Sequence, residues 1–217
     1  MSVNIIRIIL VNIKKEAMPP SLLIATGNAG KQHEMCALLS SLPLDLLSLH
    51  DVDANLQVEE TGITYEENAR LKAIAYHKLT GLPVLAEDSG LEVKALDGAP
   101  GVYSARFSPK ENATDADRRA HLLALLEGKP HPWEAHFHCT AVLALPDGTC
   151  LQTTGRCTGI IIPEERGTGG FGYDPVFFLP KYGATMAELP FELKNQISHR
   201  ARAIQAILPL IQANLID

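Results

Sequence analysis

Paired cysteines, an excess of basic charge and a long apolar run are all missing from this chain, and each absence closes off a class of function. Cys36, Cys139, Cys150 and Cys157 are its cysteines, and none belongs to a CxxC pair. With no secretory leader ahead of them, they read as reduced thiols of a cytoplasmic protein rather than as a disulfide framework. The formal net charge of −6 provides no general positive field for a nucleic-acid polymer, whereas a free nucleotide needs only a local patch. The first apolar stretch, residues 5–13, is broken by Arg7 and Asn12 and followed by Lys14 and Lys15. It is too short to cross a membrane, and its basic residues fall on the wrong side for a signal peptide. Aromatic residues reach only 6%, which argues against a lectin-like or antibody-like surface.

What is present is an ordinary globular composition, 46% apolar and 20% charged, on 217 residues. That length suits one compact unit with room for two lobes. We divide the chain into an extension over residues 1–17, either a functional arm or a segment upstream of a true start at Met18, and a single domain over residues 18–217. No internal repeat, low-complexity tract or long linker interrupts that domain.

Within it, SLLIAT reads as a short buried strand that runs directly into TGNAGK and then into a helical pattern carried by Met35, Leu38, Leu39 and Leu42. DLLSL is a second strand. Thr64 and Glu67 form a capping box ahead of a helix with Ala69, Leu71, Ala73, Tyr76 and Leu79 as its body, ended by Gly81 and Pro83. LPVLAEDSG repeats the first pattern, an apolar strand that stops at acidic and small polar residues. Thr114 with Asp117 caps a helix through Leu122, Leu123, Leu125 and Leu126, and PDGT joins two strands into an antiparallel hairpin. Ser198 caps a last helix that turns Ala203, Ile204, Ile207 and Leu208 inward. Strand–helix units combined with a hairpin predict an α/β fold on a mixed sheet, with the chemistry at strand ends and loops.

Three segments carry that chemistry. Thr26, Gly27, Asn28, Ala29, Gly30 and Lys31 lie between a strand and a helix start, where free N–H groups, the helix dipole and a lysine favour phosphate. The spacing is not GxxxxGK[ST], since Gly27 is too close to Lys31 and Gln32 replaces the metal-binding hydroxyl. Glu87, Asp88 and Ser89 place a carboxylate where it can hold Mg²⁺ or accept a proton from water, with Glu59 and Glu60 as further acids. GTGGFGYDP, residues 167–175, brings backbone and the rings of Phe171 and Tyr173 toward a flat ligand. Lys194, His199 and Arg200 add donors. Taken singly, each segment also fits an ordinary turn; together they suit a purine triphosphate. His136, His138 and Cys139 raise the idea of zinc, but alternate strand positions put both histidines on one face without a second ligand cluster.

In this order TGNAGK, EETGITYEENARLKA, AEDSGLEVKALDGAPGVYSARF, GTGGFGYDPVF and KNQISHRARA resemble the inosine triphosphate pyrophosphatase family, the bacterial dITP/XTP pyrophosphatases. The resemblance covers nearly everything from Leu22 to the last helix. It implies an elongated mixed sheet flanked by helices, with two lobes around a central nucleotide cleft, in a homodimer. It further implies that Thr26, Gly27, Asn28, Ala29, Gly30, Lys31 and Lys72 bind the triphosphate. Asp88 would be proton acceptor and, with Glu60, Mg²⁺ ligand, while Ser89 contacts substrate. Phe171, Gly172, Tyr173 and Asp174 would hold base and sugar, and Lys194, His199 and Arg200 would complete the base pocket. The implied reaction is Mg²⁺-dependent hydrolysis of (d)ITP and XTP to monophosphate and pyrophosphate. A nucleotide-binding regulator is the rival from another class; a phosphatase or kinase is made unattractive by the missing Walker, HRD and DFG elements.

Overall fold

A computed structural model describes residues 19–54 and 56–217; the extension before Met18 lies outside them. Seven strands form one sheet in the order β2–β1–β3–β4–β5–β6–β7. β1 (Ser21–Ile24), β2 (Asp45–Ser48) and β3 (Val84–Val93) are parallel. β4 (Trp133–Ala144), β5 (Cys150–Ile161), β6 (Phe177–Leu179) and β7 (Ala184–Thr185) continue the sheet antiparallel. β4 and β5 are 12 residues each, so this hairpin alone gives the sheet a long axis of about 40 Å.

The helices start where sequence chemistry says they should. Asn28 caps α1 (Ala29–Leu39) by accepting from the Lys31 N–H. Thr64 and Glu67 form the expected capping box on α2 (Tyr65–Thr80), which ends at Gly81 in the left-handed region. Thr114 and Asp117 do the same for α3 (Asp115–Leu126), while Ser198 caps α5 (His199–Leu215) directly after α4 (Phe191–Ile197). Leu71, Leu79 and Leu125 belong to the expected helices but are exposed. In each helix smaller or neighbouring residues, such as Ala69 and Ala73 on α2 or Leu122 and Leu126 on α3, fill the buried stripe. Leu42 lies beyond α1 but still packs against its core.

Apolar packing divides into two ends. At one, α1 and α5 cover one sheet face around Leu22, Ile24, Leu85 and Ile204, and α2 covers the other around Leu23, Val84 and Ala86. At the opposite end Leu91, Val93, Phe137 and Phe177 gather with Leu122 and Leu126 of α3. β3 belongs to both ends. Its middle, Glu87, Asp88, Ser89 and Gly90, is the polar interval between two cores.

That placement corrects the expectation that β3 stops at its acidic residues. It runs on to Val93, because β4 pairs with it from Val84↔Ala144 to Val93↔Ala135. What stops is β1, which pairs with β3 only at Leu23↔Val84 and Ile24↔Leu85. Beyond Leu85 the edge of β3 is therefore left open toward the start of α1, and a cleft occupies the opening.

Candidate active site

Side chains alternate across a strand, so Glu87 and Asp88 face opposite sides of the sheet. Glu87, without exposed side-chain surface, meets Lys31 of α1 at 2.6 Å and Arg200 of α5 at 3.6 Å. Burial disfavours its charge, but Lys31, Arg200 and Lys72 overcome this and hold its carboxyl well below the usual carboxylate range. Asp88 turns toward α2, where Asn68 Nδ2 donates at 3.2 Å and Lys72 Nζ lies 3.4 Å away. Here burial prevails: it pushes the Asp88 carboxyl above its ordinary value, against the pull of Lys72 and Lys31. Lys72 also meets Glu60 at 2.6 Å. Although burial opposes its charge, Asp88, Glu87 and Glu60 keep Lys72 strongly basic.

The cleft has two adjoining chambers that share Asn28, Lys31, Ser89 and Ala105. One contains Thr26, Gly27, Glu60, Lys72 and Asp88. The other contains Phe171, Gly172, Tyr173, Asp174, Lys194, His199 and Arg200. Of the site residues that the resemblance implies, Ala29 and Gly30 line neither. Ala29 is simply the first residue of α1, and a Cβ on Gly30 would stand 2.5 Å from the Phe171 ring. Gly30 is thus small to admit Phe171. Glu60, rather than Glu59, is the acid brought to Lys72.

In the second chamber Arg200 is fully buried and paired with Glu34, and its Nη2 donates to Ser89 Oγ at 3.1 Å. Lys194 bridges Glu34 at 2.7 Å and Asp174 at 2.5 Å. Asp174 in turn accepts from the Phe171 N–H at 2.9 Å, fixing that ring beneath the Lys194 and Arg200 cations. His199 stacks on Phe137; burial and the nearby Arg200 drive its pKa well below the ordinary histidine value, so it is neutral. α5 comes this close because β5 carries Gly155, where a Cβ would lie 2.1 Å from the His199 carbonyl. Arg200 Nε and His199 Nδ1 are buried without a hydrogen-bond partner among the described residues. Such groups are costly unless something completes them.

Sequence reasoning missed Glu34, Asn68 and the work of Glu87. Glu34 sits three residues after Lys31 on α1, a helical spacing that could have marked it. His136 and His138 are half-buried, beside Glu92 and Arg156, while Cys139 turns to the other face and donates to Glu87. Among the described residues no three histidine, cysteine or acidic side chains gather as a metal cage. Mg²⁺ does not need one, because it takes one or two carboxylates together with phosphate oxygens and water. Asp88 and Glu60, gathered on either side of one ammonium group, fit that donor set.

The Ham1 family profile matches residues 22–210. A dITP/XTP pyrophosphatase of Geobacter sulfurreducens is 53% identical over 184 residues, 84% of this chain and 92% of that protein. Another, from Shigella flexneri, is 48% identical over 193 residues, covering 88% and 97%. The solved HAM1 protein from Coxiella burnetii superposes with a TM-score of 0.81 at 39% identity, covering 89% of this chain and 99% of that one. On sequence and on fold alike, this chain belongs to the Ham1 family.

Proposed function

We propose that this protein hydrolyses noncanonical purine nucleoside triphosphates, dITP, ITP and XTP, to the monophosphate and pyrophosphate, and so keeps them out of DNA and RNA. The observation that carries this is Asp88, a buried carboxylate with heightened proton affinity, at the junction of a lysine-lined chamber and an aromatic, guanidinium-lined one. Triphosphate lies along Thr26, Gly27, Asn28, Lys31 and Lys72; the purine lies in the chamber of Phe171 and Arg200. Asp88 takes a proton from water, the water oxygen attacks the α-phosphorus, and the α–β bridge breaks with pyrophosphate leaving. Asp88 and Glu60 would hold Mg²⁺, which supplies neutralising charge to the phosphate oxygens when bound.

The base is read by donors. Arg200 Nε can only donate, so it suits the six-keto oxygen of hypoxanthine or xanthine, which accepts, and opposes the amino group of adenine. Leaving such a buried group unpaired costs a few kcal/mol, enough for about 100-fold discrimination. By the same family reading the working form is a cytoplasmic homodimer, which sedimentation measurements of mass in solution and cell fractionation test. The decisive assay measures pyrophosphate and orthophosphate release across dITP, XTP, ATP and GTP with Mg²⁺. Pyrophosphate release favouring dITP and XTP is expected; orthophosphate release, or binding without turnover, would overturn the assignment.

A further inference from the structure

Helix α3 contributes none of the residues assigned to the reaction, yet its first turn holds two walls of the base chamber. Gly172 gives both its backbone groups to that turn: its N–H donates to Asp115 Oδ2 at 2.7 Å, and its carbonyl accepts from Arg119 Nη1 at 2.8 Å. Arg119 Nη2 donates to Glu165 Oε2 at 2.8 Å, ahead of the glycine-rich loop. Asp115 also pairs with Arg118, whose Nη1 donates to the carbonyl of Ala105 at 3.2 Å, in the 3₁₀ turn Gly101–Arg106 across the chamber. The Tyr173 hydroxyl closes the circuit by donating to the Ser104 carbonyl at 2.9 Å.

A loop containing Gly167, Gly169, Gly170 and Gly172 has much backbone freedom to lose, and a ligand that had to order it would bind weakly. We propose that Asp115 and Arg119 are positioning residues: they hold the loop in its binding form before the purine arrives, so α3 sets base affinity through the loop, and Arg119, which unlike Asp115 does not line the chamber, acts through it alone. The proposal rests on the purine reading of this chamber. It separates from general stability, because Leu122 and Leu126 anchor α3 in the core further along the helix and the Thr114 cap does not use Asp115.

The test uses the full chain and its Asp115→Ala, Arg119→Ala and Asp115→Asn variants. Affinity for inosine 5′-monophosphate is measured by calorimetry, inhibition by inorganic tripolyphosphate as a phosphate-only probe, and kcat and KM with dITP. Both alanine variants should weaken monophosphate binding and raise KM by about tenfold, leaving kcat within about threefold and tripolyphosphate inhibition unchanged. Asp115→Asn, whose amide oxygen still accepts from Gly172, should recover most of the affinity. Equal losses for both probes, or unaltered monophosphate affinity, would overturn the proposal. A wild-type chain that binds the monophosphate but releases no pyrophosphate from dITP sinks the functional assignment while the α3 result stands. No monophosphate binding by the wild type overturns both.

Discussion

Glu87 and Asp88 are consecutive on one strand and both are buried, yet one carboxyl is held well below its ordinary value and the other is raised above it. The difference lies in the two faces of β3. On the Glu87 face two cations, from α1 and α5, close on the carboxylate. On the Asp88 face Lys72 stands farther off and divides its charge with Glu60, while Asn68 offers only an amide. Burial alone therefore does not decide what an acid does. A tightly paired carboxylate becomes framework, and a loosely paired one keeps the basicity that proton transfer needs.

The sharpest break in this contrast comes from amide substitutions. Asp88→Asn should fold and bind nucleotide but turn over at least about 100-fold more slowly, read as kcat for pyrophosphate release. Near wild-type turnover would remove Asp88 from its role. Glu87→Gln should instead act on stability, losing about 3 kcal/mol in urea unfolding because Lys31 and Arg200 are left in part uncompensated. If the two variants exchange these outcomes, the assignment of the faces is reversed.

Acidity separates the same pair. A depressed folded-state pKa makes the Glu87 contribution fully present above the unfolded glutamate value and lost as pH falls through the folded one. The stability gap between wild type and Glu87→Gln should thus be flat above about pH 5, begin to shrink as pH falls below the ordinary glutamate value, and close only well below it. In the proposed reaction Asp88 works as the carboxylate, and its pKa is raised, so the acid limb of kcat/KM should lie above the ordinary aspartate value of about 3.9. An acid limb that shifts in Glu87→Gln but not on altering Lys72 would contradict this division.

Arg200→Ala should lower kcat/KM for ITP much more than for ATP, narrowing their ratio by about tenfold or more. An equal fall for both would make Arg200 framework, like Glu87. The smallest effect compares two glycines. Gly27→Ala meets open space and should change little, whereas Gly30→Ala meets the Phe171 ring and should raise KM several-fold, to about the effect of a displaced side chain. The reverse order in KM would mean that a Cβ on Gly27 meets the phosphates themselves and that the Phe171 ring gives way to one on Gly30.

The elements themselves were largely readable, because caps and turns act locally: Thr64 with Glu67, Thr114 with Asp117 and Ser198 each begin a helix where they stand. The residues of the two chambers were readable too, through motifs that keep their order. The counter-charges were not. Glu34 looks like any surface acid on a polar helix until Arg200 and Lys194 are folded against it. The course of β3 through Glu87 and Asp88 was hidden for a similar reason, since its continuation depends on a partner strand some fifty residues away, Thr140 opposite Asp88. Gly30 showed its size but not the ring that requires it.

The bond between Glu34 and Arg200 joins positions separated by 166 residues. Contacts so distant in sequence form late, because the intervening chain must first be closed into a loop. The β4–β5 hairpin, by contrast, closes through a short turn between neighbouring strands. During synthesis the hairpin and the phosphate loop therefore emerge well before the residue that neutralises Glu34. Until Arg200 has left the ribosome the nascent chain has a sheet and a lysine-bearing loop but not the chamber proposed for the purine, so on that reading nucleotide cannot template its early folding and can stabilise only the finished protein.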